Sequence, residues 1–119
     1  MRLLRKVIWL GDSLKNLKEF PEEVKDGIGY ALHKTQGGET SRNAKPLKGL
    51  KPAVMEIVSD YDTNTYRAVY TTKIDEVMYI LHCFQKKSKK GIKTPKQEID
   101  LIKQRLREAE TISKEGGNI

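Results

Sequence analysis

The chain has one cysteine, Cys83, and no apolar stretch long enough to cross a bilayer. A lone cysteine excludes an internal disulfide and suits a reducing compartment. The opening MRLLRKVIWLGDS has too short an apolar run for a secretory signal, so a cytoplasmic protein without a membrane partner is expected. Phosphate-binding glycine motifs are missing as well, because Gly37-Gly38 precedes no capped helix and lacks the required spacing. Nitrogen and sulfur ligands are scarce. His33, His82 and Cys83 are the candidates, and the last two, as neighbours on a strand, point to opposite faces. Neither a metal nor a cofactor is expected. Cys83 as a nucleophile is disfavoured, since nothing marks its sulfur as exposed and electropositive.

Acidic residues are missing from two particular places. Ser41–Lys51, SRNAKPLKGLK, carries Arg42, Lys45, Lys48 and Lys51 with no acid. Val77–Gln97 carries Lys86, Lys87, Lys89, Lys90, Lys93 and Lys96, again with none. These ten charges exceed the formal net charge of +7 and leave the rest of the chain at net −3. The bland reading of a charge run is solvated surface. Lysine concentrated on a nearly neutral scaffold, directly after a strand that must be buried, points instead to a polyanion, most often nucleic acid.

What is present fits one small domain spanning residues 1–119, with 37% hydrophobic and 33% charged residues around one core. Leu3–Leu10 (LLRKVIWL) reads as a strand stopped by Gly11. Asp12 or Ser13 can cap a short helix bearing Leu14, Leu17 and Phe20, and Pro21 suits the first turn of a second helix, PEEVKDGIGYALHK. Val24, Ile28, Ala31 and Leu32 line one face of that helix. TQGGETSRNAKPLKGLKP reads as a long functional loop. Strands follow at 53–60, 65–71 and 76–84 with short turn-like connections, a meander whose last member, EVMYILHCF, is apolar enough for burial on both faces. Thr94-Pro95-Lys96-Gln97 is a capping-box signature opening an amphipathic helix with Ile99, Ile102, Leu106 and Ala109 inside. Residues 111–119 are expected to fray. The expected fold is α+β in the order β-α-α-β-β-β-α, with an antiparallel sheet, an N-terminal helical hairpin and a C-terminal helix.

Arg67 stands mid-strand in TYRAVYT, on the same face as Val69 and Thr71. Two roles are open to it. It can pair with Glu56 on the adjoining strand, or hold a planar charged fork toward a phosphate. His82 is either a packed strand residue or an acid–base group at the mouth of the lysine loop. Phe84 and Tyr79 can stack on bases or close the core.

PLKGL, TYRAVYT, EVMYILHCF and FQKKSKKGIKTPKQEIDLIKQRL together resemble the RelE/ParE toxin superfamily, nearest its HigB-like, phage-derived host-inhibition toxins. The resemblance covers about Leu3 to Glu110. It implies the α+β RelE-like fold and a cytoplasmic toxin held in check by a cognate antitoxin, commonly a helix-turn-helix, HigA-like protein. It further implies a ribosome-dependent mRNA endoribonuclease in which the RNA's 2′-hydroxyl attacks the adjacent phosphate without a metal. By position, Arg67 would stabilise the scissile phosphate, His82 or else a lysine would be the general base, and Lys86 and Lys87 would assist as acid or as electrostatic partners. Lys45, Lys48, Lys51, Phe84, Gln85, Lys89, Lys90 and Lys93 would bind mRNA or ribosomal RNA. The chain departs from some relatives, which place a His or Tyr, sometimes beside an acid, just after the last strand. Two alternatives accompany this reading: a non-nuclease toxin of the same fold acting on a protein such as DNA gyrase, and a non-catalytic nucleic-acid-binding module.

Overall fold

The computed structural model describes residues 4–51, 53–86 and 94–116. Its elements are β1 (Val7–Trp9), α1 (Ser13–Lys18), α2 (Glu22–Gln36), β2 (Ala44–Pro46), β3 (Met55–Tyr61), β4 (Asn64–Ile74), β5 (Val77–Lys86) and α3 (Lys96–Gly116). The class is α+β, around a five-stranded sheet ordered β1-β5-β4-β3-β2. No helix of the described residues is long and apolar enough to cross a membrane.

Two features correct the expected arrangement. The sheet is mixed, because β1 runs parallel to β5 with Val7 opposite Met78 and Trp9 opposite Ile80. After β1 the chain passes through α1 and α2 and re-enters at the far edge as β2. Three successive antiparallel pairings then return it beside β1 in the same direction. The second correction is β2 itself, which lies in the segment expected to be loop and sets Lys45 opposite Glu56. A short edge strand ending in proline has no alternation to reveal it, and proline is tolerated at an edge.

The hairpins close through Asp62-Thr63 (φ 47° and 68°) and Asp75-Glu76 (φ 53° and 57°). Both central residues lie in the left-handed region, the type I′ geometry whose twist matches the strands it joins. β5 occupies the interior of the sheet, and Met78 to Phe84 are all buried, as its composition suggested.

Each face of the sheet carries helices. Val24, Ile28, Ala31 and Leu32 of α2, with Leu17 of α1, cover Ile57, Ala68, Met78 and Ile80. Phe20 meets Tyr66 edge-on with ring centroids 4.9 Å apart. On the opposite face Ile102, Leu106 and Ala109 of α3 cover Val69, Tyr79, Leu81 and Phe84. The helix continues through residues expected to fray, with Thr111 Oγ1 donating to the Arg107 carbonyl at 3.1 Å and the Ser113 hydroxyl bonded to Asp75.

Candidate active site

Lys45 and Lys48 are exposed where β2 passes into its following turn, facing the start of α3. Between them opens a groove of about 470 Å³, bounded also by Leu47, Glu56, Thr94 and Ile99. Beneath it Arg67 Nη1 donates to Glu56 Oε1 at 2.6 Å. The Thr94 hydroxyl accepts from Nη1 and donates to Oε1, each at 3.3 Å, so one hydroxyl ties both ions together. The Arg67 and Glu56 side chains are only 3% and 4% exposed. Of the two roles open to Arg67, the cross-strand pair with Glu56 is the one seen here. The expectation that Arg67 meets a scissile phosphate directly is corrected accordingly: its guanidinium lies under the groove floor, bonded to two residues that line it.

The second cluster depends on an irregularity in β5. Val69 pairs with His82 and Tyr70 with Ile80, which leaves Leu81 as an extra residue on β5. Such a bulge re-phases a strand and re-aims its side chains. Ile80 and Cys83 pack beneath the N-terminal helices, whereas Leu81 and Phe84 pack beneath α3. His82 also turns toward α3, where it contacts Glu98 and Arg105. The Leu81 carbonyl accepts from Arg105 Nη1 at 3.0 Å.

The hydrogen-bond inventory fixes the tautomer of His82. Arginine has donors only, so His82 Nδ1, 3.2 Å from Arg105 Nη1, must accept. The ring proton therefore sits on Nε2, which donates to Glu98 Oε2. Arg105 Nη2 donates in turn to Asp12 Oδ1 at 2.7 Å, and this bond holds the Asp12 carboxyl below its usual range. His82 is 5% exposed with both ring nitrogens engaged, so it offers no open nitrogen to a substrate. The expectation of His82 as the direct general base is corrected on that ground.

Gly11 makes room for this cluster. Its φ is +53°, and a Cβ there would lie 2.5–2.8 Å from three guanidinium atoms of Arg105. The stop residue after β1 is thus glycine for two reasons, the left-handed backbone and the arginine above it.

The other expected residues divide. Phe84 is 8% exposed and stacks on His82, with centroids 5.0 Å apart at 18°, so it is not presented to a base. Gln85 and Lys51 are exposed, and Lys86 is half-buried at the end of β5. Lys87, Lys89, Lys90 and Lys93 lie outside the described residues. Burial pushes the Cys83 thiol up to about 12, which leaves no thiolate for nucleophilic chemistry. Arg105 and Glu98 were missed as site residues because charges on an amphipathic helix read as solvated. One signal was available: Arg105 falls between Ile102 and Leu106 on the stripe that faces the core, where an arginine must find partners.

In this α+β domain a groove lined by Lys45 and Lys48 lies over the buried, hydrogen-bonded Arg67–Glu56 pair. Residues 15–107 match the model of the phage-derived protein Gp49-like family (DUF891), and the chain belongs to that family. No curated protein and no solved structure matched the chain. Membership supports a toxin of a toxin–antitoxin pair as the broad class, with an antitoxin as partner.

Proposed function

We propose that this chain is a RelE/HigB-like toxin that cleaves mRNA on the ribosome in the cytoplasm, and that a helix-turn-helix, HigA-like antitoxin restrains it. The observation that carries the reading is the groove walled by Lys45 and Lys48 and floored by Glu56 and Thr94. Exposed lysines there attract the backbone of a single strand, and the floor beneath them is held in fixed geometry by Arg67. The lysines make the direct phosphate contacts. Arg67 fixes Glu56 and Thr94 in place beneath the groove.

In this reading the RNA's 2′-oxygen forms the new bond to phosphorus while the bond from phosphorus to the 5′-oxygen breaks. Negative charge grows on the phosphoryl oxygens, and the ammonium groups of Lys45 and Lys48 stabilise it more in the transition state than in the ground state. Lys86, at the end of β5, supplies the proton taken up by the departing 5′-oxygen. The ribosome holds the mRNA in line for attack, and such positioning alone removes much of a barrier. The products are a cyclic phosphate and a 5′-hydroxyl.

The test is cleavage of a short mRNA on programmed ribosomes, paired with RNA binding across a salt series. Exchanging both Lys45 and Lys48 for alanine is expected to abolish cleavage while leaving the thermal midpoint unchanged. The log–log salt slope of single-strand binding should shrink by roughly 1.4 for the two lost phosphate contacts. An unchanged slope with full cleavage would remove the groove from the reading.

A further inference from the structure

We infer that Glu98 is the general base of this site, aimed by His82, an assignment that rests on the ribonuclease reading above. Glu98 stands in the first turn of α3, its side chain 29% exposed, next to Ile99 and one turn from Thr94, both of which line the groove. Among the described residues its polar partner is His82, which engages Oε2 and leaves Oε1 uncommitted. A carboxylate held through one oxygen and open at the other can receive a proton without rearranging.

The parts behind Glu98 fit this role. Arg105 faces Nδ1 of His82 with a donor, which keeps that nitrogen an acceptor and the proton on Nε2. Glu98 is therefore oriented by a neutral donor, and its negative charge is not cancelled by an ion pair. Arg105 is itself anchored at both ends, by the Leu81 carbonyl and by Asp12. The bulge at Leu81 acquires a purpose here, since it directs both His82 and a carbonyl toward α3. His82 and Arg105 are positioning residues; Glu98 is the group that touches substrate.

The step balances. Glu98 Oε1 takes the proton of the 2′-hydroxyl as that oxygen bonds to phosphorus, and the 5′-oxygen leaves with a proton from Lys86. Carboxylate and ammonium become carboxylic acid and amine, and solvent exchanges the proton back between them.

Single-turnover cleavage by the full chain on programmed ribosomes tests this, with thermal midpoints measured alongside. Glu98→Gln still accepts from His82 but cannot take the proton, so its rate should fall by about 10²–10⁴ at an unchanged midpoint. His82→Gln keeps an N–H near the Nε2 position and His82→Leu keeps only the bulk. At matched midpoints the glutamine variant should cleave about tenfold faster than the leucine variant. Glu98→Gln cleaving within about threefold of the parent would overturn the assignment while leaving the ribonuclease reading intact. Equal rates for the two His82 variants would overturn the aiming role. A parent protein that leaves the mRNA whole would sink the ribonuclease reading, and this inference with it.

Discussion

Consider Arg67 replaced by alanine. The change leaves Glu56, 4% exposed, with Thr94 as its polar partner in place of a guanidinium at 2.6 Å. Stranding one member of a buried ion pair costs about 3–5 kcal/mol. For a chain of this size each kcal/mol moves the thermal midpoint by roughly 4 °C, so a drop of about 12–20 °C is expected. Replacing both partners together, Arg67→Met with Glu56→Leu, removes the stranded charge, and should recover all but about 1–2 kcal/mol. Melting followed by circular dichroism on the parent, the two single variants and the double variant gives a coupling of at least about 2 kcal/mol if the pair is sealed as described. A single-variant cost below about 1 kcal/mol would refute the reasoning, because it would mean that water reaches the fork. Lost cleavage in Arg67→Ala is for the same reason no evidence of chemistry. The folded double variant, assayed well below its midpoint, is the fair comparison, and it is expected to cleave within about tenfold of the parent.

Three further outcomes follow from local geometry. Gly11→Ala forces a Cβ to within 2.5–2.8 Å of the Arg105 guanidinium at a left-handed backbone, and should cost about 2–4 kcal/mol in urea unfolding. Thr63→Gly relieves a β-branched residue at φ 68°; that gain, less the glycine's extra unfolded-state entropy, should raise stability by about 0.5–1 kcal/mol, read as a higher melting midpoint. The lowered pKa of Asp12 is a stabilising contribution fully present above its ordinary value of 3.8 and lost as pH falls through the folded value. Its side chain is 53% exposed, which limits the effect to about 1 kcal/mol or less, and Asp12→Asn should flatten that part of the acid-side stability profile between pH 5 and the onset of acid unfolding.

Much of this fold was legible because local pattern and burial agree. The stripe of Val24, Ile28 and Leu32 became the inner face of α2, and the unbroken apolar run of β5 became a central strand. Asp62-Thr63 fell where a short turn was expected; the second turn was expected at 72–75, but β4 runs on through Ile74 and the turn narrows to Asp75-Glu76. Less was legible where pairing partners lie far apart in sequence. Nothing local to Val7–Trp9 says that it runs parallel to β5, and Ala44–Pro46 is too short to show a period. The site was hidden for a related reason. Alternation is counted residue by residue, and the extra Leu81 shifts that count so that His82 follows it beneath α3. Thr94 read as a helix cap, yet its hydroxyl binds Glu56 and Arg67 across the groove floor. The Arg67–Glu56 pair was one of the two roles open in the sequence; that Thr94 joins it depends on how α3 packs against the sheet, and no short stretch of sequence encodes that.

The most direct test of the central claim is the mapping of mRNA 5′ ends shortly after the protein is induced without its antitoxin. New 5′-hydroxyl ends are expected within translated reading frames, lost when translation is blocked and lost in Glu98→Gln. Growth arrest with intact mRNA would contradict the claim.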